Sequence, residues 1–225
     1  MKAIIAALLI ASPLSAIDNR CPSQYTSFGS SQPASAGGVV CLVDHEVAGR
    51  YELYSVLSGI TTKLSPNVVR EFPFDVIRFS VSPDNIYVAY TSDTNSWTMY
   101  ELYSVQIVGG VSKRLSSTMP FDNDVDDFVW WGNGDGVVYR KGRNATGAWV
   151  LYSALINSGI NTILSQPGCA VAPGLQIVGG RVRYRCEQDG VYSNWVVDVD
   201  GGYPERDDVL IFTDGFEGGG VTRWN

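Results

Sequence analysis

Apolar and polar residues alternate in short runs that recur along the chain at a fixed interval. Residues 51–56 and 100–105 both read Tyr-Glu-Leu-Tyr-Ser-Val and begin 49 residues apart, and a degraded copy occupies residues 150–154. Short runs rich in aromatic and β-branched residues and bounded by turn residues are typical of β-strands. Their equal spacing predicts a chain built from repeated structural units.

The second unit shows the plan of the repeat most clearly. Four strand-like runs fall within one period, and the corner Ser82-Pro83-Asp84 and the pair Gly109-Gly110 separate them. With Phe79 before the corner and Leu115-Ser116 after the glycines, this succession resembles the repeat of TolB-like β-propellers, a PD40/WD40-like repeat. The resemblance implies an all-β fold in which each unit is a four-stranded sheet, called a blade, that packs against its neighbours.

The pattern predicts about four such units within residues 17–206. The third keeps turn residues at 133–136 in place of the Ser-Pro-Asp corner, and the fourth lacks both that corner and the closing Leu-Ser pair. Closed propellers have roughly four to eight blades, so a small ring, an open arc that self-associates and a remnant of a larger propeller are all open. The polar residues 18–38 predict a loop or an irregular first strand. The units lie near residues 34–66, 73–116, 123–165 and 171–206.

The two ends of the chain carry targeting features. Residues 1–16 have a basic start, an apolar run and a small-residue end, which together predict a cleaved signal peptide. Residues 207–225 predict a closing strand at 209–213 and a separate tail. The tail, which contains Asp214-Gly215-Phe216-Glu217, resembles the Asp-Gly-Phe-Glu-Ser-Gly tail of secreted proteins of Xanthomonas-like bacteria. We therefore expect a secreted, periplasmic or cell-surface protein.

Export makes the cysteines interpretable as disulfides, because oxidising compartments favour them. The four residues allow three pairings. The nearest-neighbour pairing would place one disulfide in the first unit and one in the last unit. A zinc site is disfavoured, since the sequence has no Cys-x-x-Cys pair and His45 is its only histidine. The disulfide candidates are Cys21, Cys41, Cys169 and Cys186.

Composition narrows the classes of partner. Hydrophobic residues make up 45% of the chain and charged residues 17%, which suits a folded domain with a core. The formal net charge is -7 and the basic residues are scattered, so nucleic acid and anionic membrane surfaces are poor partners. No apolar run reaches the roughly 20 residues of a membrane span.

The sequence contains no recognisable catalytic constellation, and we expect that the chain is not an enzyme. A nucleophile-histidine pair would have to use His45, which lies in a polar turn. TolB-like propellers also form the accessory domain of prolyl-oligopeptidase-type enzymes, but the hydrolase domain has no counterpart here. The rival hypothesis is a glycan lyase or hydrolase that uses Asp124 and Asp126 as general acid and base.

Acidic loops raise the question of calcium. Asp122, Asp124 and Asp126 alternate in one loop, an oxygen-rich arrangement that calcium prefers, but the loop does not match the full twelve-residue calcium pattern. Solvated surface charge is the favoured interpretation of these residues. No other cofactor is predicted.

The resemblance implies a binding or scaffolding module that holds a protein or small ligand at one rim of the propeller. Loops at a rim are where propeller-like scaffolds carry function, although a fold alone is a weak guide to function. Self-association and a purely structural role are the alternatives. The predicted rim residues are Pro83, Asp84, Asn133, Asp135 and Asp200.

Overall fold

The computed structural model describes residues 21, 27–44, 49–66, 75–93, 99–117, 124–142 and 148–207. Its regular structure is four antiparallel sheets that follow one another along the chain, with a single 3-10 turn at Ser35–Gly37. The predicted all-β fold of four repeated sheets is confirmed. The predicted signal peptide at 1–16, the closing strand at 209–213, the tail, His45 and Asp122 lie outside the described residues.

Each sheet is made of strands that are consecutive in sequence. Sheet I contains β1 (Ser27–Pro33), β2 (Val39–Asp44), β3 (Tyr51–Leu57) and β4 (Ile60–Lys63). Sheet II contains β5 (Val76–Val81), β6 (Tyr87–Ser92), β7 (Glu101–Gln106) and β8 (Lys113–Arg114). Sheet III contains β9 (Val125–Trp131), β10 (Gly136–Lys141), β11 (Val150–Leu155) and β12 (Asn161–Ile163). Sheet IV contains β13 (Ala170–Val171), β14 (Gln176–Val178), β15 (Arg181–Gln188), β16 (Val191–Asp198) and β17 (Glu205–Arg206).

The recurring Tyr-Glu-Leu-Tyr-Ser-Val run is the third strand of its sheet. Its second tyrosine faces an equivalent residue of the second strand, and the register is the same in sheets II and III, where Tyr90 pairs with Tyr103 and Tyr139 with Tyr152. The two rings of each pair stack with centroids 5.5 and 5.4 Å apart. The 49-residue spacing therefore reflects equivalent core positions in successive sheets.

The recurring Leu-Ser pair closes each of the first three sheets. The serine hydroxyl accepts a hydrogen bond from the backbone N–H of the third-strand leucine, at 3.2 Å from Leu102 to Ser116 and 3.1 Å from Leu151 to Ser165. Sheet I repeats this contact between Leu53 and Ser65 at 3.2 Å. The pair satisfies a backbone donor at the point where the fourth strand has ended.

Neighbouring sheets pack face to face through three apolar clusters. One cluster joins sheets I and II, the next joins II and III, and the third joins III and IV. Side chains also tie the first strands together, since the Gln32 amide donates to the Phe79 carbonyl at 3.2 Å and accepts from the Val81 N–H at 2.9 Å. Between sheets II and III, the Trp130 indole donates to the Ser80 carbonyl.

The two ends of this stack differ. The outer face of sheet IV is charged and partly solvated: Arg181 pairs with Asp198 and Glu205, and Arg183 pairs with Asp207. On the outer face of sheet I, Glu52 is fully buried and forms ion pairs with Arg50 and Lys63. Within the part of the chain that the structure describes, no apolar cluster joins sheet IV to sheet I. A polar outer face is typical of the terminal unit of a repeat stack.

The first strand begins earlier than the repeat pattern indicates. Strand β1 starts at Ser27, before the first unit predicted from residue 34 but within residues 18–38, for which a loop or an irregular first strand was predicted. Its sequence, Ser-Phe-Gly-Ser-Ser-Gln-Pro, is polar because β2 supplies the buried residues of this pair. A register shift at Gly29 makes the strand irregular, and equivalent shifts occur at Ile77 in β5 and Asp126 in β9. Bulges of this kind bend a first strand without ending its pairing.

Candidate binding rim

The turns between first and second strands and the hairpins between third and fourth strands lie at the same end of each sheet, because the strands are antiparallel. We call this end the hairpin rim; it comprises turns 34–38, 82–86, 132–135 and 179–180 and hairpins 58–59, 107–112, 156–160 and 199–204. Turn and hairpin touch within a sheet: the Ile107 N–H donates to the Ile86 carbonyl, and the Ile156 N–H donates to the Asp135 carbonyl. The three predicted loops therefore gather on one rim.

Contacts between sheets make the hairpin rim continuous. A Cβ atom placed on Gly134 of sheet III would lie 2.8 Å from the Asp84 carboxylate of sheet II. Likewise, one on Gly109 would lie 2.8 Å from the Thr62 methyl, and one on Gly201 would lie 2.9 Å from the Thr162 methyl. These close approaches connect sheet I to II, II to III and III to IV along the same edge.

The predicted rim residues do not have equal roles. The Asp84 carboxylate accepts hydrogen bonds from the Ser82 hydroxyl and from the Ile86 N–H, so it shapes its own turn. Asn85, next to it, has a left-handed backbone with φ of 59°. Pro83, Asn133, Asp135 and Asp200 are exposed. The Ser-Pro-Asp corner is thus a structural turn, and the exposed side chains are the ones available to a partner.

Sequence reasoning missed a row of exposed apolar side chains on the hairpin rim. In every sheet, one such residue directly follows a glycine of the last hairpin and is 64% to 97% exposed. A glycine followed by a large apolar residue in each closing hairpin is a signal that the sequence contains. The residues are Ile60 at 68%, Val111 at 95%, Ile160 at 64% and Tyr203 at 97%.

A pocket of about 220 Å³ opens beside this row, between the hairpins of sheets II and III. The sheet II hairpin is longer than that of sheet I, and Gly109 and Gly110 let it turn with φ of 97° and 134°. Left-handed backbone of this kind favours glycine. The pocket therefore results from the length and glycine content of one hairpin.

The opposite end of the sheets holds the acidic residues that we considered for calcium or acid-base chemistry. The Asp124 carboxylate accepts the Tyr100 N–H at 2.7 Å, just as the Asp75 carboxylate accepts the Tyr51 N–H at 2.8 Å one unit earlier. The described residues contain no group of three or more side chains placed to hold a metal ion. Asp124 thus has a repeated structural contact with the third strand of the preceding sheet.

Asp126 is engaged by a buried arginine. Both of its carboxylate oxygens accept hydrogen bonds from the Arg140 guanidinium, which also donates to the Val171 carbonyl at 3.0 Å. The guanidinium lies over the Trp149 ring at 4.4 Å. This arrangement links sheets III and IV.

Ionisable groups at this end have shifted pKa values. Burial raises the pKa of the Asp93 carboxyl, and the nearby Asp75 charge adds to the effect, although the Asp75 N–H donates to Asp93 at 2.7 Å. Burial also raises the pKa of Tyr100, with further contributions from the surrounding aspartates. Burial lowers the pKa of Lys141, whose ammonium donates to the Ser117 hydroxyl at 3.1 Å.

The cysteines form the nearest-neighbour pairs. Cys21 is bonded to Cys41 on the outer face of sheet I, and Cys169 is bonded to Cys186 in sheet IV. Their Cα atoms lie 5.9 and 5.5 Å apart, within the usual range for a disulfide. One disulfide thus belongs to the first sheet of the stack and the other to the last sheet.

Solved structures with similar geometry come from larger proteins. A puromycin hydrolase matches with a TM-score of 0.58 and 15% identity, over 81% of this chain and 29% of the other. Prolyl oligopeptidase B from Galerina marginata matches with a TM-score of 0.58 and 15% identity, over 81% of this chain and 30% of the other. A putative TolB from Agrobacterium tumefaciens matches with a TM-score of 0.50 and 18% identity, over 80% of this chain and 61% of the other.

The chain has the β-propeller fold. It spans less than a third of the two enzymes and about three fifths of the putative TolB. No family model matches the sequence, and no curated protein is significantly similar to it. Among the described residues there is no helix that is long and apolar enough to cross a membrane.

Proposed function

We propose that this propeller is an exported binding module that holds a protein or ligand partner on its hairpin rim. The observation that carries the proposal is the row of apolar side chains at Ile60, Val111, Ile160 and Tyr203. A repeated position in a stack of sheets ordinarily packs against the next sheet. These four side chains are instead exposed at the same end of the four sheets, where a partner could cover them together.

The architecture supports a rigid platform for such a surface. Each hairpin is fixed by its own sheet and by contacts with the next, such as the Lys113 ammonium of sheet II donating to the Asn157 carbonyl of sheet III at 2.5 Å. Loops on a rigid scaffold are common positions for binding residues. The partner would therefore meet a surface that is largely formed before binding, which lowers the entropic cost of association.

Export is supported by the two disulfides, because such bonds persist in oxidising compartments. The signal-like character of residues 1–16 agrees with this view. Fractionation of cells that produce the full chain tests it. We expect a mature protein that begins at Ile17 in the envelope or the medium; an uncleaved chain retained in the cytoplasm would contradict export.

Site-specific photocrosslinking tests the hairpin rim directly. A benzophenone amino acid replaces Val111, and a matched variant carries it at Val191, which is 61% exposed in the β15–β16 hairpin at the opposite end of sheet IV. In producing cells, we expect discrete crosslinked species from position 111 that position 191 does not give. Identical patterns from both positions, or no adduct from either, would argue against the rim as a binding surface.

A second variant connects the adduct to the apolar row. A triple variant that carries Ile60→Ser, Ile160→Ser and Tyr203→Ser should no longer give the crosslink from position 111. Because all three side chains are exposed, the melting temperature should change little. Persistence of the adduct in this variant would show that the row does not contribute to binding.

A further inference from the structure

The pocket between the hairpins of sheets II and III has a lining that differs from the apolar row beside it. Its walls combine a phenol, two side-chain amides and an ammonium with the apolar side chain of Val111. The polar members are Tyr87, Ser104 and Gln106 on sheet II, Lys113 on β8 and Asn157 on the sheet III hairpin, and Ser104 is the buried one. Such a lining can orient a ligand rather than merely bury it.

The Lys113 side chain joins the two walls of the pocket. The Lys113 ammonium donates to the Asn157 carbonyl at 2.5 Å and lies 3.4 Å from the Ile156 carbonyl, which joins the two walls. An ammonium has three N–H donors. One donor therefore remains to contact a ligand while the other two maintain the walls.

The other polar groups are available for hydrogen bonding. No hydrogen bond within the described part of the chain engages the side chains of Tyr87, Gln106 or Asn157. Each amide offers two donors and an acceptor, and the phenol offers one of each. The pocket thus presents donors and acceptors in mixed order, which matches a ligand whose own groups are both donors and acceptors.

Charge excludes other ligand classes. The lining residues include no carboxylate to bind a metal ion, and only one ammonium to meet a phosphate. Asp135 lies next to the pocket, because its carbonyl accepts the Ile156 N–H. On a chain of net charge -7, the single Lys113 ammonium gives an anionic ligand little net attraction. A neutral ligand rich in hydroxyl groups fits these conditions.

We propose that this pocket binds one neutral pyranose residue of a glycan. Ring hydroxyls would bond to the Gln106 and Asn157 amides and to the Lys113 ammonium, while the ring C–H groups would pack against Tyr87 and Val111. The pocket volume of about 220 Å³ is many times the roughly 10–15 Å³ that one water requires on the same measure, which leaves room for one six-membered sugar ring. The proposal rests on the hairpin rim being the binding surface, and it names the ligand class.

The test is an NMR titration of the 15N-labelled mature chain with neutral methyl pyranosides of glucose, galactose, mannose and N-acetylglucosamine. We expect at least one sugar to give saturable shifts in the amides of residues 107–111 and 156–159, with a Kd of about 1–10 mM, as weak single-residue contacts allow. Galacturonic acid should bind less well than its neutral counterpart.

Substitutions identify the groups responsible. Gln106 and Asn157 are exposed, so Gln106→Ala with Asn157→Ala should leave the fold intact and weaken binding at least tenfold, as the loss of two hydrogen bonds predicts. Asn194→Ala, which removes an exposed amide of β16 outside both the pocket lining and the hairpin rim, is the matched control and should bind normally.

Two results would overturn the inference: no saturable shift with any neutral sugar at 50 mM, or equal binding by the double variant and the wild type. Crosslinking from position 111 that persists alongside such a result would refute the glycan inference and leave the rim proposal standing. Absence of both crosslinking and sugar binding would refute both proposals.

Discussion

The buried serine that closes each of the first three sheets gives the sharpest test of how the repeat is held together. Ser116 is 3% exposed, and its hydroxyl accepts the N–H of Leu102, which is fully buried, at 3.2 Å. The carbonyl of the same leucine accepts the Leu115 N–H. The N–H and the carbonyl of Leu102 therefore both face residues 115–116, which follow β8. Ser116→Ala removes the acceptor and leaves a buried backbone donor without a partner.

The expected cost follows from that unsatisfied donor. A buried polar group that loses its partner costs about 1–3 kcal/mol, whereas the net gain from an ordinary hydrogen bond is about 1 kcal/mol. We therefore expect Ser116→Ala to lower the free energy of unfolding by about 1–3 kcal/mol. Against a typical total of about 5–15 kcal/mol, this is a measurable fraction.

Ser55 supplies a matched control in sheet I. It is buried like Ser116, but its hydroxyl has no hydrogen-bond partner among the residues that the structure describes. Ser55→Ala removes a hydroxyl that already lacks a partner, so it should be neutral or stabilising. The two substitutions delete the same atom and differ only in whether that atom accepts a hydrogen bond.

Urea unfolding at pH 7, followed by tryptophan fluorescence, measures the difference. The midpoint should fall in Ser116→Ala and stay or rise in Ser55→Ala, with the slope m unchanged in both. If the two variants differ by less than about 0.5 kcal/mol, the size of an ordinary surface change, the closing contact does not stabilise the sheet. Ser65→Ala and Ser165→Ala should repeat the Ser116 result because their contacts are equivalent.

Three other predictions concern the opposite end of the sheets and the disulfides. Asp93→Asn keeps an acceptor for the Asp75 N–H but removes a carboxylate whose pKa is raised above its unfolded value of 3.8. The stability that the protonated carboxyl gives the wild type is full below that value and is lost as the pH rises through the pKa of the folded state. The urea midpoints of the two proteins should therefore be equal near pH 3, and the midpoint of the variant should be the higher one at pH 7. A lower midpoint for the variant at pH 7 would contradict this reasoning. Arg140→Gln should lower the free energy of unfolding by about 2 kcal/mol, because Asp126 and the Val171 carbonyl lose their donor; calorimetry showing no loss would refute it. Peptide mapping without reduction should find Cys21 linked to Cys41 and Cys169 linked to Cys186, and any crossed pair would contradict the structure.

The parts of the fold that the sequence could predict are those where one residue type performs the same local duty in each sheet. Each of these residues satisfies a core or backbone requirement within its own sheet. For that reason it recurs or is replaced by a residue of like chemistry, as with the tyrosines of the third strand, the leucine-serine pair and the Ser82-Pro83-Asp84 corner. Strand β1 was harder to predict. Its residues are polar, and its pairing depends on β2 rather than on its own pattern.

The candidate site could be located only in part. Antiparallel strands were expected to bring the loops containing Asp84, Asn133 and Asp200 to one rim, and they do. The exposed residues Ile60 and Val111 were not predicted, although a glycine precedes each of them, because the repeat pattern alone does not separate a buried apolar residue from an exposed one. The Arg140 guanidinium contacts Asp126 on the neighbouring strand β9 and the Val171 carbonyl across the boundary with sheet IV, and no local spacing encodes either contact.

The structure separates the residues that hold the stack together from those that a partner would meet. The third and fourth strands keep the same register in sheets I and II, where Tyr54 pairs with Lys63 and Tyr103 pairs with Arg114, although the closing hairpins differ in length from 58–59 to 107–112. Hairpins can therefore change length without a change in register, since register follows the buried face. The inter-sheet pocket lies beside the longer hairpin 107–112 and its two glycines. Deletion of Gly109 and Gly110 gives sheet II the same separation of paired residues as sheet I. It should remove the pocket and its ligand binding while leaving the urea midpoint close to that of the wild type.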